Sequence, residues 1–360
     1  MINEIVVDEL ENLKNPILVD VRSEGEYLED TIPGALNLPL FNNEERARVG
    51  TTYTQISPAM AKEEGLEIVG PKLPDLVKQA QLWAEEGPLV LFCWRGGMRS
   101  KSVATVLDLM GVSVYRLQGG YKSYRKKIVE FFEQDPSFSF FVLRGNTGVG
   151  KTEILKRLKS DGYPAIDLEK LANNRGSVFG DVGLGSAPSQ KKFESLLYEE
   201  LMEIKAKGHS YIIVECESKR IGRVTLPMKF YKAMQQGTQI LIYDSISNRV
   251  NRLLREYTEI PNALDQIRAA FARLEKNLGH KKIEQYNLLL DEGKLEDFTI
   301  NLLEYYDALY GYPNKPSSEY VFEVNQTAQD QAIRNLEDFL EKSAALPGTP
   351  VQDEISNIAK

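Results

Sequence analysis

Over roughly the first 130 residues, two hydrophobic periods alternate. The runs PILVDVR (16–22), PLVLFCW (88–94) and VSVYRLQGG (112–120) are nearly continuous in apolar residues. That is the pattern of strands buried on both faces of a parallel sheet. Between them, DLVKQAQLWAEE (75–86) and SKSVATVLDLMG (100–111) space their apolar residues as helices do, and Gly111 stands at a C′ position. This alternation predicts an α/β layered domain. KKIVEFFEQDPSFS (126–139) has the pattern of a linker helix that ends before Pro136.

A second α/β pattern follows. Its strand at 140–144 leads through a glycine turn into a helix at 152–160, then a strand, YPAIDL (163–168). A long helix at 189–207 precedes strands at 210–218 and 238–243, and the pattern from 246 to 310 is mostly helical. The expected organisation is an N-terminal parallel-sheet domain at 1–127, a linker helix at 128–139, a second α/β domain with a helical extension at 140–345, and a frayed tail at 346–360.

Composition narrows the function classes. The 360 residues carry a net charge of -8, which argues against indiscriminate nucleic-acid binding but leaves room for a local basic face. Two cysteines, Cys93 and Cys216, cannot build a disulfide framework, which suits a reducing cytoplasm. His209 and His280 lie far from both cysteines in sequence, so no structural zinc site is expected. No apolar run approaches the ~20 residues that span a bilayer, and no membrane partner is expected. The acidic start, MINEIVVDELENLKN, lacks the form of a secretion signal.

Two loops carry the candidate chemistry. In the first, Cys93 ends an apolar run and is followed by Trp94, Arg95, Gly96, Gly97, Met98 and Arg99. A cysteine at a strand exit before a helix sits where α/β folds place ligands. Loop N–H groups and the helix N-terminus favour thiolate, while Arg99 and Arg95 add cationic donors for an anionic substrate. Cys93 is then a nucleophile or a carrier of an atom.

The second loop, Gly145, Asn146, Thr147, Gly148, Val149, Gly150, Lys151 and Thr152, satisfies G-x-x-x-x-G-K-[ST]. Its N–H groups cradle a di- or triphosphate, Lys151 neutralises it and Thr152 is in place to ligate Mg²⁺. Such domains place an acid at the end of a neighbouring strand, and YIIVECES supplies Glu215 or Glu217, with Glu215 preferred. Cys216 alternates with these acids and is expected to face the core. The loop does not say which molecule bears the phosphate; ATP is the default by frequency. SNRVNRLLREY (247–257) places Arg249, Arg252 and Arg255 on one helical face, either to clamp phosphates or as a solvated surface. Arg220 and Arg223 form a second basic set, and with Arg249 and Arg252 they are the candidates to meet an RNA backbone.

ILVDVRSEGEYLEDTIPGALNLP (17–39), the Cys93 loop and YRLQGGYKSYR (115–125) resemble a rhodanese domain. Ordinary sulfur-transferring rhodaneses carry C-x-x-G-x-R, whereas Cys93 to Arg99 spans C-x5-R, similar to the loop of the related cell-cycle phosphatases. The wider loop implies a cargo larger than a sulfane sulfur, or a larger donor.

A rhodanese domain ahead of a P-loop domain resembles the tRNA 2-selenouridine synthase family. LFNNEERARVGTTYTQ (40–55), DLEKLANNRGSVFG (167–180) and ECESKRIGRVTLP (215–227) look like further motifs of that family. The resemblance implies selenium-for-sulfur exchange at the wobble 2-thiouridine of tRNAs for Lys, Glu and Gln. It implies geranyl diphosphate and selenophosphate as co-substrates, Cys93 as the selenium carrier and no prosthetic group. The implied partners are the tRNA anticodon stem-loop and an enzyme that supplies selenophosphate. Competing readings are a sulfurtransferase, or a P-loop ATPase or kinase regulated by its rhodanese half.

Overall fold

The computed structural model describes residues 2–344 apart from 177–178, 259 and 261; the tail read at 346–360 lies outside them. The chain forms two compact units, Met1–Phe131 with Glu194–Leu196, and Phe132–Phe193 with Leu197–Lys360.

The first unit runs β1 (Asn3–Ile5), β2 (Ile17–Asp20), α1 (Glu24–Glu29), β3 (Leu36–Asn37), α2 (Asn43–Thr51), α3 (Pro58–Val69), α4 (Leu73–Ala84), β4 (Leu89–Phe92), α5 (Met98–Leu109), β5 (Val114–Leu117) and α6 (Gly120–Phe132). Its sheet is parallel, in the order β1-β5-β4-β2-β3. All four residues of β4 are inaccessible to solvent, which is why their sequence is continuously apolar. Val19, Leu89, Leu91, Val103, Leu107 and Val114 belong to the core between this sheet and its helices.

The helix expected within 126–139 is the end of a longer one: α6 begins at Gly120, buries Tyr121, Tyr124 and Ile128 at helical spacing, and stops at Phe132, ahead of Pro136.

The second unit runs β6 (Ser139–Arg144), α7 (Lys151–Ser160), β7 (Ala165–Ile166), α8 (Leu168–Ala172), α9 (Gln190–Ala206), β8 (Tyr211–Glu215), β9 (Arg220–Ile221), β10 (Val224–Thr225), α10 (Met228–Gln236), β11 (Thr238–Tyr243), α11 (Ile246–Thr258), α12 (Ala263–Leu278), α13 (His280–Asp291), α14 (Leu295–Tyr310), β12 (Phe322–Asn325) and α15 (Gln329–Ala344). Its five-stranded sheet is parallel, β12-β11-β6-β8-β7, with β6 at the centre. β9 and β10 form a separate antiparallel hairpin. The helices from α12 to α14 build a second core, in which Phe298 meets Phe271 and Tyr286 edge-on at 5.7 and 5.8 Å. Among the described residues, no helix is long and apolar enough to cross a membrane.

Candidate functional site

Cys93 lies one residue beyond β4, at the C-terminal edge of the first sheet, and is 3% exposed. The loop is pinned from behind: Tyr121 N–H donates to Cys93 O and Lys122 N–H to Trp94 O, both at 2.9 Å. Gly96 has φ +62°, and a Cβ there would lie 2.7 Å from Leu117 O, so only glycine lets the loop pass β5. Arg116 Nη1 donates to Gly96 O at 2.5 Å. The helix begins at Met98, two residues earlier than the sequence pattern placed it, which brings its first turn closer in sequence to the sulfur.

The polar neighbour of the sulfur is Ser100, which the sequence reading passed over. Its Oγ is 3.3 Å from Cys93 Sγ and 3.3 Å from Gly97 O. A hydroxyl has one proton to donate. Given to Gly97 O, that proton leaves Oγ to accept from the thiol; turned to the sulfur, it stabilises the thiolate.

Arg99 is already engaged: its Nη1 donates to Glu26 Oε2 at 2.6 Å. Burial alone raises Glu26, but Arg99, Arg46 and Arg22 hold its carboxyl below the ordinary range. Arg95 and Gly97 are exposed, and Met98 is 48% exposed. Beneath the loop, Arg22 is buried in a two-point pair with Asp20, at 3.0 and 2.7 Å. Its guanidinium lies 4.2 Å from the centre of the Tyr121 ring, which packs 5.3 Å from Trp94.

The P-loop joins β6 to α7 and lines a cavity of about 980 Å³. A Cβ on Gly145 would lie 2.1 Å from Ile242 O, so the loop can leave the sheet beside β11 only through glycine. Lys151 Nζ donates to Gly145 O at 2.8 Å and Asn146 O at 3.4 Å, which holds the ammonium over the loop. Arg249 Nε donates to Thr147 O at 2.8 Å and Arg252 Nη1 to Gly148 O at 2.5 Å. Two loop carbonyls are thereby engaged by α11, which fixes the turn of the loop.

These contacts correct the expectation of an RNA-facing arginine helix. Arg249 is fully buried and paired with Asp307 at 2.6 and 2.7 Å. Arg252 bonds Glu153 at 3.0 Å and Asp244 at 3.1 Å. Helical spacing puts both on one face, and that face packs onto the loop. Arg255 lines the same cavity, whereas Arg220 and Arg223 are exposed on the β9–β10 hairpin.

The acids near the phosphate loop are a cluster. Glu215 ends β8 fully buried, accepts the Glu169 N–H at 3.0 Å and is absent from the cavity lining; Glu169 and Glu217 line it. Thr152 Oγ1 donates to Glu169 Oε2 at 3.4 Å. Burial first, and then the Glu217 charge, push Glu169 up to about 8. Burial raises Glu217 to about 7 against the opposing charge of Lys151. Burial raises Glu215 as well, reinforced by Glu169. Cys216 does not face the core as expected: it is half-buried, lines the cavity and lies 3.5 Å from Tyr312 OH.

Comparison with known proteins places both halves. Residues 5–127 match the Rhodanese-like domain, and residues 138–341 match the domain described as tRNA 2-selenouridine synthase AAA domain. The chain belongs to the tRNA 2-selenouridine synthase family. The tRNA 2-selenouridine synthase of Hydrogenovibrio crunogenus is 36% identical over 329 residues, covering 83% of this chain and 90% of that protein. That of Pseudomonas putida is 31% identical, covering 88% and 94%, and that of Azotobacter vinelandii 32%, covering 86% and 90%. Membership in the tRNA 2-selenouridine synthase family makes this chain a tRNA-modifying transferase.

Glu26, Ser100, Glu169 and Asp307 were not singled out from sequence. Glu169 left a trace, as an acid in the first helical turn after a strand, within a segment already noted for its resemblance to the family.

Proposed function

We propose that this chain converts wobble 2-thiouridine of tRNAs for Lys, Glu and Gln into 2-selenouridine in two steps. The first is S-geranylation by geranyl diphosphate; the second exchanges the geranylated sulfur for selenium from selenophosphate. The observation that carries this reading is the presence on one chain of a thiol at a strand exit, in a half that matches the Rhodanese-like domain, and a phosphate loop with its own cavity, in a half that matches the tRNA 2-selenouridine synthase AAA domain.

The chemistry gives each loop a task. In the first step the thiocarbonyl sulfur bonds to the allylic carbon, the bond from that carbon to the diphosphate oxygen breaks, and N3 of the base gives up its proton. Lys151 and the loop N–H groups stabilise the departing diphosphate. Glu217, raised to about 7, is matched to accept the proton. The Thr152 hydroxyl, beside Glu169, is a hard oxygen of the kind Mg²⁺ takes. Among the described residues, no three or more His, Cys, Asp or Glu are grouped to hold a metal, so the ligand phosphates would complete such a site. A bound Mg²⁺ would supply further neutralisation of the diphosphate.

Alkylation makes the sulfur a better leaving group, and it departs as geranylthiol when selenium enters. The Cys93 thiolate, with the Ser100 hydroxyl stabilising it, takes the phosphoryl group of selenophosphate and frees selenium at the selenide level. That selenide displaces geranylthiol at C2, and water then releases phosphate from the Cys93 sulfur. Arg220 and Arg223 meet the phosphates of the anticodon stem.

The test is Cys93→Ala with purified protein, a thiolated anticodon stem-loop and both co-substrates, read by mass analysis of nucleosides. S-geranyl-2-thiouridine should accumulate while 2-selenouridine formation falls at least about a thousandfold. Normal 2-selenouridine formation would remove Cys93 from the exchange. An unmodified stem-loop beside steady ATP hydrolysis would favour a nucleotide-driven enzyme.

A further inference from the structure

The phosphate cavity has a neighbour of opposite character. A second cavity, of about 480 Å³, lies among α11, α12 and α14. Thr147 of the P-loop and Leu253 and Tyr257 of α11 line both cavities, so they share a wall. Beyond it the lining is mainly hydrocarbon and aromatic, with Ala263 and Leu264 on one side and Phe298 and Leu302 on another. Thr299 lies in this wall, but its hydroxyl donates to Leu295 O at 2.7 Å, within its own helix. Asn262 and Asp265 are exposed at the mouth. An anion cradle sharing a wall with an apolar chamber fits a ligand with a diphosphate head and a hydrocarbon tail. A nucleobase is a poorer fit, because its polar edge needs buried hydrogen-bond partners.

Protein interiors leave few voids larger than a water molecule, so a chamber of this size is a maintained shape. An apolar cavity of about 150 Å³ accommodates the six carbons of benzene. At 480 Å³ this chamber has room for the ten carbons of a geranyl chain.

We infer that the chamber among α11, α12 and α14 binds the prenyl chain of the diphosphate substrate, and that Ala263, Leu264, Phe298 and Leu302 set its fit. This inference rests on the proposal that the P-loop takes geranyl diphosphate. Tail and head are held by one construction. Arg249 and Arg252 of α11 bond the loop carbonyls, and Asp307 of α14 pairs with Arg249.

The test titrates the full-length protein with inorganic diphosphate, geranyl diphosphate and ATP by calorimetry. Each buried methylene is worth about fourfold in affinity, so geranyl diphosphate should bind at least about 100-fold tighter than diphosphate after the costs of ordering the chain. Ala263→Phe fills the chamber and should cut that advantage to less than about tenfold while leaving diphosphate binding unchanged. Leu264 is 41% exposed, so Leu264→Gln polarises the mouth at little cost to folding, and should lower geranyl diphosphate affinity alone by about fourfold. The second variant decides the matter if the first lowers the melting temperature. A full advantage in both variants overturns the tail site and leaves the geranyl diphosphate reading standing. No advantage in the wild type, or tighter binding of ATP than of geranyl diphosphate, overturns both.

Discussion

The Cys93 loop and the P-loop are built to one plan and tuned to opposite ends. Each leaves a strand within a parallel sheet, turns through glycines and enters a helix, and each has a glycine closely approached by a carbonyl of a neighbouring strand, Leu117 O or Ile242 O. Around Cys93 three arginines are paired with acids: Arg99 with Glu26, Arg22 with Asp20, and Arg116 with Glu4. The sulfur keeps a neutral partner in Ser100. At the P-loop, Lys151, Glu169 and Glu217 converge on one cavity, and the arginines hold loop carbonyls. The strand–turn–helix frame supplies a position; side chains from neighbouring elements decide whether it suits a nucleophile or an anion.

The strongest way to break this comparison is to remove one loop's charge and watch the other. Lys151→Ala should slow geranyl transfer by about 10²–10³, the cost of losing one donor to a developing anion. Selenium exchange on a stem-loop already geranylated should proceed at the wild-type rate. Equal loss in both assays would mean that the loops do not divide the work.

A smaller effect sharpens the electrostatic contrast. Glu169 and Glu217, near 4.5 when unfolded, are raised to about 8 and about 7. The folded protein therefore keeps protons that the unfolded chain releases. The stability these groups contribute is complete below about 4.5 and is lost as pH rises through 7 to 8. Glu217→Gln stays neutral, so its melting temperature should decline less between pH 6 and 8, by about 2–4 °C. Parallel declines in variant and wild type would count against a raised Glu217.

The smallest expected effect concerns the exposed arginines. Each duplex phosphate contact adds about 0.9 to the slope of log affinity against log salt. Replacing Arg220 and Arg223 with Ala should flatten that slope for tRNA by between one and two units. Replacing Arg95, on the cysteine loop, supplies the contrast. An unchanged slope in the Arg220/Arg223 variant removes the hairpin from the RNA footprint.

Both loops were legible because their chemistry is written in consecutive residues. So were β4, from its continuous apolar run, and β11, where the expected strands match those at 89–92 and 238–243. The fate of Arg249 was not legible: helical spacing gives a common face, but a buried guanidinium and a solvated one leave the same spacing. Glu169 escaped because its partners Glu215 and Glu217 lie more than forty residues away, and only the pairing of β7 with β8 brings them near. The apolar chamber escaped for a related reason. Leucines at helical spacing announce a buried face without saying whether the opposing faces close completely. β12 and α15, after a stretch of turns, were not anticipated at all.

The position of β12 and α15 has a consequence for synthesis. β6 lies at the centre of the second sheet, yet the core around its Phe141 is completed by Leu336, Phe339 and Leu340 of α15. Roughly 200 residues separate them, which at ribosomal speeds of about 5–20 residues per second is a delay of about 10–40 s. The strands of the first unit are all made by Leu117, so that sheet can close while the second is still being translated. Throughout the delay the apolar strand FFVLR waits without its full cover, open to chaperones and to other nascent chains. A stalled ribosome or a stop codon just before Phe322 would therefore release a folded cysteine half joined to an aggregation-prone remainder.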